Sequence, residues 1–277
     1  SLGFRSLKSC AVYGPKKQGE IRIAIAGDSV TFGEGIRNVQ NTYPALLEKL
    51  LTLSLPESKI RVFNCGVSAY SVRQMAATLR FRMLSLDPDV VIMAIIPHDL
   101  DLSRTGSVDK WGYTVTKNTN AVFSDGSYVL YVLRHFRLIY VLRDIYNGYW
   151  GKRQEAQKEK KALKDIAKSS YKYIKEFTET AKSHGIMSLI VLLPVQDRSF
   201  PVGLRSEMTR DGIRFLDLTY LAKQFPRSDF QASRFDAHPS AAVHMAIAKK
   251  LSEFLAAINW NDPAVVRKVK TSKEDAK

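Results

Sequence analysis

Short apolar runs recur along the chain and are separated by longer amphipathic stretches. Four runs rich in β-branched and aliphatic residues cover residues 21–26, 60–63, 90–96 and 189–193. A weaker fifth run, residues 213–216, ends at Asp217. Apolar runs of this length that stop at a glycine or a polar residue are typical of strands buried on both faces. The pattern predicts five strands of a mostly parallel sheet.

Helical periodicity fills the stretches between these runs. One helix is predicted to begin near Tyr43, with Pro44 in its first turn, where the missing N–H is not needed. A second covers residues 71–84, and a last one follows Pro239. Strands that alternate with helices form βαβ units with helices on both faces of the sheet. The predicted fold class is therefore α/β, with three layers around an open, mostly parallel sheet.

Residues 105–184 are too many for one crossover, so we interpret them as a helical insertion that ends in a long basic amphipathic helix. Apolar residues recur there at helical spacing, and the other faces carry Lys158, Lys161, Lys164, Lys168, Lys172 and Lys175. We expect a solvated lysine face, with contact to an anionic polymer or a membrane surface as the alternative. Residues 1–277 are expected to form a single domain with a frayed polar tail at 262–277.

The charge balance is strongly basic, with 42 Lys and Arg against 27 Asp and Glu, a net charge of +15. Such a surface attracts anionic neighbours, but no zinc-finger spacing, helix-turn-helix or RNA-recognition pattern is present, so we expect no specific nucleic-acid partner. The two cysteines, Cys10 and Cys65, provide no disulfide framework. The chain begins at Ser1 without an initiator Met, and we expect an exported or membrane-anchored soluble part rather than a cytoplasmic protein.

Residues able to perform nucleophilic chemistry follow the predicted strands. A serine hydroxyl becomes a useful nucleophile only when a histidine takes its proton and a carboxylate orients that histidine. Ser29 directly follows the first strand, and Asp236 and His238 precede the last helix. The carboxyl ends of parallel strands converge on one crevice. The order Ser, Asp, His along the chain also suits a catalytic triad on an open α/β sheet.

Four short blocks, in order over about residues 21–254, resemble the SGNH hydrolase superfamily, also called GDSL-like esterases and lipases. They are Gly27-Asp28-Ser29, Asn64-Cys65-Gly66, Pro97-His98-Asp99 and Asp236-Ala237-His238. The resemblance implies a flavodoxin-like fold, with Ser29 as nucleophile, Asp236 as acid and His238 as base. It also implies an oxyanion hole formed by the N–H groups of Ser29 and Gly66 and by the side chain of His98. Asp28 is expected to orient the nucleophile turn and Asp99 the third-block loop. No metal and no cofactor are expected.

The blocks depart from the family pattern at three positions. Val30 replaces the leucine of the family name, and His98 stands where the family has an asparagine. A neutral imidazole can donate one N–H, so His98 is either an oxyanion donor or a structural histidine. Only one residue separates Asp236 from His238, where many members have two. This spacing implies a different loop geometry and resembles that of some enzymes acting on bacterial polysaccharides. The remaining histidines are read as structural: His135, His184 and His244.

Three functions follow from these observations. The first is hydrolysis of an O-acylated carbohydrate or lipid through an acyl-enzyme on Ser29, with a small-molecule or polysaccharide ester as substrate. The second is O-acyl transfer to an envelope polysaccharide, in which a sugar hydroxyl replaces water. The third is a binding module without catalysis on the same scaffold. The sequence predicts the first.

Overall fold

This computed structural model describes residues 14–102, 107–108, 114–115 and 169–260. Its strands in chain order are β1 (Glu20–Gly27), β2 (Lys59–Asn64), β3 (Val90–Ile95), β4 (Ser107–Val108), β5 (Thr114–Val115), β6 (Met187–Leu192), β7 (Phe215–Asp217), β8 (Gln231–Ser233) and β9 (Asp236–Pro239). Five of them form one sheet in the order β2-β1-β3-β6-β7, and every neighbouring pair is parallel. Each of the five apolar runs therefore overlaps a strand of this sheet, as predicted, although β7 begins at Phe215, two residues after the start of its run.

The helices are α1 (Ser29–Phe32), α2 (Tyr43–Ser54), α3 (Val72–Thr78), α4 (residues 169–183), α5 (Leu204–Arg210), α6 (Arg227–Phe230) and α7 (Ala241–Ala256). Pro44 lies in the first turn of α2, where the sequence placed it. The helix predicted over residues 71–84 is longer and less regular, because α3 continues into a π-helical turn at Leu79–Met83 and a 3₁₀ turn at Leu84–Leu86.

Alternation along β1 divides the core between the two faces of the sheet. Ile23 and Ile25 point to the face that α2 and α7 cover, and Ala24 and Ala26 point to the face covered by α3, α4 and α5. All four side chains are fully buried. The three layers predicted from the sequence are confirmed, and the carboxyl ends of the central strands open on one side of the sheet.

Two smaller antiparallel pairs lie outside the main sheet. β4 pairs with β5 inside the predicted insertion, and β8 pairs with β9 just before α7. Most of residues 105–184, including Lys158, Lys161, Lys164 and Lys168, lie outside the described residues, as does the tail at 262–277. Lys172 and Lys175 are exposed on α4. Among the helices that the structure describes, none combines the length and the apolar character needed to cross a bilayer.

Candidate active site

The turn between β1 and α1 presents Ser29. Asp28 caps the helix, because its Oδ1 accepts the Val30 N–H at 2.9 Å. Oδ2 of the same carboxylate lies 3.3 Å from Ser29 Oγ. Burial raises the pKa of Asp28 to about 6, although the bonds from Val30 and Ser29 act in the opposite direction. Ser29 itself is half-buried, so its hydroxyl is held in place and remains accessible.

The β8–β9 hairpin carries both Asp236 and His238. Side chains two residues apart on a strand point to the same side, so the single intervening residue, Ala237, places the carboxylate beside the imidazole. Asp236 Oδ1 accepts the backbone N–H of His238 at 3.0 Å and lies 2.6 Å from its Nδ1. Burial raises the pKa of the Asp236 carboxyl, but the bonds from His238 outweigh this effect and lower the pKa below its usual value.

Ser29, His238 and Asp236 form one continuous chain of hydrogen-bonding groups. His238 Nε2 lies 3.0 Å from Ser29 Oγ, while Nδ1 faces the carboxylate. A neutral imidazole with its proton on Nδ1 donates to Asp236 and leaves Nε2 to accept the hydroxyl proton of Ser29. The structure thus brings together the three residues selected from the sequence. The short spacing suits a strand, where the more usual two-residue spacing would turn one side chain away.

Gly66 was expected to be an oxyanion donor, but a neighbouring side chain engages its N–H. Its N–H donates to Asn64 Oδ1 at 3.0 Å, and Asn64 Nδ2 in turn donates to the carbonyl of Thr31 at 2.8 Å. A Cβ on Gly66 would lie 2.5 Å from the backbone nitrogen of Phe32. Gly66 is therefore needed for close packing against α1, and among the described residues it does not line the cavity that contains Ser29.

Ala69, which the sequence analysis did not single out, lines that cavity together with Ser29. Its φ of 64° is in the left-handed region, which an alanine rarely adopts. The loop is fixed beside the nucleophile turn by the bond from Val67 N–H to the carbonyl of Gly27 at 3.0 Å. Within the described part of the chain, the N–H groups of Ser29 and Ala69 make no hydrogen bond. Alanine has no side-chain chemistry that could have indicated this position.

His98 lies on a single 3₁₀ turn, Pro97–Leu100, directly after β3. Its half-buried ring lines the cavity that contains Ser29. The turn is held by Asp99, whose Oδ2 accepts the Ile96 N–H at 2.8 Å. Asp99 thus holds the third-block loop, as the sequence analysis expected, and the placement of His98 is compatible with an oxyanion donor.

A second carboxylate, Glu34, lies beside the imidazole and was also missed. Its Oε2 is 3.7 Å from His238 Nε2 and accepts the Ser68 hydroxyl at 2.9 Å. Glu34 lies between Gly33 and Gly35, both of which have a left-handed φ. A Cβ on Gly35 would lie only 2.7 Å from Asp236 Oδ2, so glycine is required both by conformation and by space.

The cavity around Ser29 has a volume of about 650 Å³, within the usual range for small-molecule sites. Its described lining contains one arginine, Arg198, and six carboxylates: Asp28, Glu34, Asp99, Asp101, Asp197 and Asp236. The local charge is therefore opposite to the net charge of the chain. Among the described residues, no group of three His, Cys, Asp or Glu is arranged to hold a metal ion.

The other two histidines that the structure describes, His184 and His244, do not line this cavity. His244 is buried on α7, where its Nδ1 accepts the Tyr43 N–H at 3.0 Å and its ring stacks on Tyr43. His184 bonds through Nδ1 to the carbonyl of Thr180 at 2.8 Å near the end of α4. Both are structural, as expected, and His135 lies outside the described residues. Cys65 is a buried free thiol, and Cys10 also lies outside the described residues.

Comparison with known proteins shows similarity in fold to solved structures. No family model matches the chain, and neither does any curated protein. A two-domain esterase active on acetylated mannans aligns with a TM-score of 0.50 at 11% identity, over 91% of this chain and 54% of that one. This chain therefore spans about half of that esterase. At this identity the likeness confirms the α/β fold and leaves the chemistry to be argued from the site.

Two further solved structures align over most of both chains. A G-D-S-L family protein from Desulfitobacterium hafniense DCB-2 has a TM-score of 0.48 and 16% identity, over 84% of this chain and 98% of that one. A variant of an acetylxylan esterase from Geobacillus stearothermophilus has a TM-score of 0.47 and 16% identity, over 87% of this chain and 95% of that one.

Proposed function

We propose that this protein is a serine ester hydrolase of the SGNH type that acts on an O-acylated carbohydrate. The observation that carries the proposal is the chain of contacts from Ser29 Oγ to His238 Nε2 at 3.0 Å and from His238 Nδ1 to Asp236 Oδ1 at 2.6 Å. Nucleophile, base and orienting acid are then all within hydrogen-bonding distance. A binding module without catalysis would have no need for this alignment.

The chemistry follows from the geometry. Ser29 Oγ attacks the acyl carbon while its proton passes to His238 Nε2, and Asp236 stabilises the resulting imidazolium. When the tetrahedral intermediate collapses, the imidazolium gives that proton to the leaving alcohol oxygen, and the acyl group stays on Ser29. Water then attacks the acyl carbon, its proton passes to Nε2, and the acid departs as Ser29 recovers the proton.

The negative oxygen of the intermediate needs donors that are fixed before the reaction. We assign the N–H groups of Ser29 and Ala69 to this role, because both residues line the cavity and neither N–H has a partner within the described chain. His98 is the candidate for a third donor, since it lines the same cavity after β3. The sequence-based assignment of Gly66 is replaced by Ala69, because the Gly66 N–H donates to Asn64.

The substrate class rests on the cavity and on one relative. A two-domain esterase of similar fold acts on acetylated mannans. The carboxylates of the cavity favour a neutral alcohol over an anionic polymer, because like charges repel at close range. Any attraction of anionic polymers to the exposed lysines of α4 concerns a different surface.

The exposure of the base, His238, favours hydrolysis over acyl transfer. The His238 side chain is 32% exposed, so water can reach Nε2 when the acyl group is on Ser29. A transferase must keep water away from its acyl-enzyme.

The test is turnover of p-nitrophenyl acetate by the full chain. We expect activity in the wild type, an acetyl group on Ser29 in quenched reactions analysed by mass spectrometry, and neither in Ser29→Ala. Ser85→Ala is the matched control, because Ser85 is exposed at the opposite edge of the sheet, before β3. Undiminished turnover in Ser29→Ala would refute the proposal. Faster transfer of the acetyl group to added mannose than to water would favour acyl transfer over hydrolysis as the function.

A further inference from the structure

We propose that Glu34 binds a free hydroxyl group next to the ester in the alcohol half of the substrate. The preferred substrates are then monoacyl esters of vicinal diols, the arrangement found in partly acylated sugar rings. This inference rests on the proposed function, because it assigns to Glu34 a place beside the leaving alcohol of that reaction.

The position of Glu34 is set by the nucleophile turn itself. The carbonyl of Ser29 accepts the N–H groups of both Gly33 and Glu34 at 2.9 Å. The Glu34 side chain therefore projects from a short turn that is held by the carbonyl of the nucleophile, Ser29. Ser68 donates to Oε2 from the neighbouring loop, so the carboxylate is held from two sides.

The distance to the base gives this carboxylate its role. The leaving alcohol oxygen takes its proton from His238 Nε2 and must therefore lie within hydrogen-bonding distance of that atom. Glu34 Oε2 is 3.7 Å from Nε2. Oxygens on adjacent carbons of a sugar ring stand about one hydrogen-bond length apart. When one of them lies at Nε2, the hydroxyl on the next carbon reaches the Glu34 carboxylate.

The Glu34 carboxylate can accept a hydrogen bond from this substrate hydroxyl. Its contacts within the described residues are through Oε2, and Oε1 makes no hydrogen bond there. The side chain is 47% exposed and lines the cavity, so an entering substrate can reach it. A carboxylate can only accept, so it selects a hydroxyl and excludes an ether or a second ester at the same place.

Glu34 also acts on the imidazolium through its charge, and this effect must be separated from hydroxyl binding. Removing a negative charge near Nε2 destabilises the protonated base with every ester. Loss of a hydroxyl contact lowers activity only with substrates that carry the hydroxyl. The informative quantity is therefore the ratio of kcat/KM between two esters that differ in that group alone.

The experiment compares ethylene glycol monoacetate with its methyl ether, using the full chain. The wild type should prefer the free hydroxyl by about 10- to 100-fold, the range of a hydrogen bond to a charged group. Glu34→Ala should abolish the preference. Glu34→Gln should retain part of it, because the amide oxygen still accepts. Ser68→Ala should weaken the preference, because Ser68 holds the carboxylate. Glu57→Ala should not change it, because Glu57 is exposed before β2, at the opposite edge of the sheet.

A Glu34→Ala variant that folds and keeps the full preference would overturn this inference alone. An equal fall on both esters would also overturn it, since that is the charge effect. A wild type that hydrolyses neither these esters nor p-nitrophenyl acetate would overturn the proposed function, and this inference with it. Thermal unfolding followed by circular dichroism verifies that each variant is folded.

Discussion

Asp236 Oδ1 accepts two N–H groups of the same residue, the backbone N–H of His238 and its ring Nδ1–H. The backbone bond fixes the direction of the carboxylate, and the ring bond then fixes the imidazole. Acid and base therefore form one rigid unit on β9, and only the distance from Nε2 to Ser29 depends on how that strand packs against α1.

Asp236→Asn should separate the electrostatic role of this carboxylate from its structural role. The amide oxygen can still accept the backbone N–H, so the free energy of unfolding should change by less than about 1 kcal/mol. The imidazolium loses its counter-charge and the tautomer is no longer fixed, so kcat should fall by about 10⁴-fold. Ester kinetics and urea denaturation measure the two effects. A loss of activity below tenfold would contradict the assigned acid.

Gly35→Ala should damage the site more than the fold. The left-handed φ of 79° makes alanine unfavourable by about 1–2 kcal/mol, and the new Cβ would lie 2.7 Å from Asp236 Oδ2. Displacement of that carboxylate should lower kcat on the order of 100-fold.

Gly185→Ala is the matched control for this substitution. Gly185 has a φ of 65°, and a Cβ there meets no atom within 4 Å. Gly35→Ala should lose more stability in urea than Gly185→Ala, because its Cβ would also lie 2.7 Å from the Cβ of Ala232. Only Gly35→Ala should lose activity. Equal activity in both would show that Gly35 does not support Asp236.

Asp28 should make stability depend on pH. Its folded pKa of about 6 is above its ordinary value of 3.8, so the folded state binds this proton more tightly than the unfolded chain does. The contribution of Asp28 to the free energy of unfolding is therefore greatest below pH 3.8. It falls as the pH rises to about 6 and is then constant. Over that interval it amounts to at most about 3 kcal/mol.

Asp28→Asn removes this titration and keeps the helix cap, because asparagine caps as well as aspartate. Urea denaturation at low and neutral pH measures the difference in free energy of unfolding between the wild type and the variant. Titrating groups that both proteins share cancel in this difference. We expect the variant to gain stability relative to the wild type as the pH rises. A difference that does not change with pH would show that Asp28 has an ordinary pKa.

His98→Asn should keep most of the ester activity, because its amide restores one donor at the assigned position. His98→Ala should lower kcat by about 100- to 1,000-fold, the usual effect of removing one oxyanion donor. His238→Ala should be more damaging than either. If His98→Asn were as inactive as His238→Ala while both remained folded, the roles of donor and base would have to be exchanged.

The sheet could be predicted because its strands are buried on both faces. That environment leaves short continuous apolar runs, and the residues that follow three of them, Ser29, Gly66 and His98, all lie at the carboxyl edge. Asp236 and His238 could be selected because few residue types can serve as acid and base. What the sequence could not show is that they lie on a strand, since a four-residue segment has too few positions for its period to be recognised.

The choice between Gly66 and Ala69 as backbone donors has a different physical basis. Glycine indicates either a left-handed backbone or a close approach, and at Gly66 the structure shows the close approach to α1. The left-handed position in the same loop is Ala69, a residue that normally avoids that conformation. Backbone donors leave no trace in the side chains that a sequence shows. Glu34 was missed because its relation to His238 depends on contacts between residues far apart in the chain.

The β8–β9 hairpin has a consequence for how activity can be lost. It is attached to α6 and α7 through Ser240, whose N–H donates to the carbonyl of Phe230 at 2.7 Å and whose hydroxyl donates to that of Asp229 at 2.6 Å. Ser29 begins α1, directly after β1 of the parallel sheet and 209 residues before His238. We expect that loosening this hairpin lengthens the distance from His238 Nε2 to Ser29 Oγ before the sheet unfolds. On heating, loss of ester turnover should then precede loss of the circular dichroism signal.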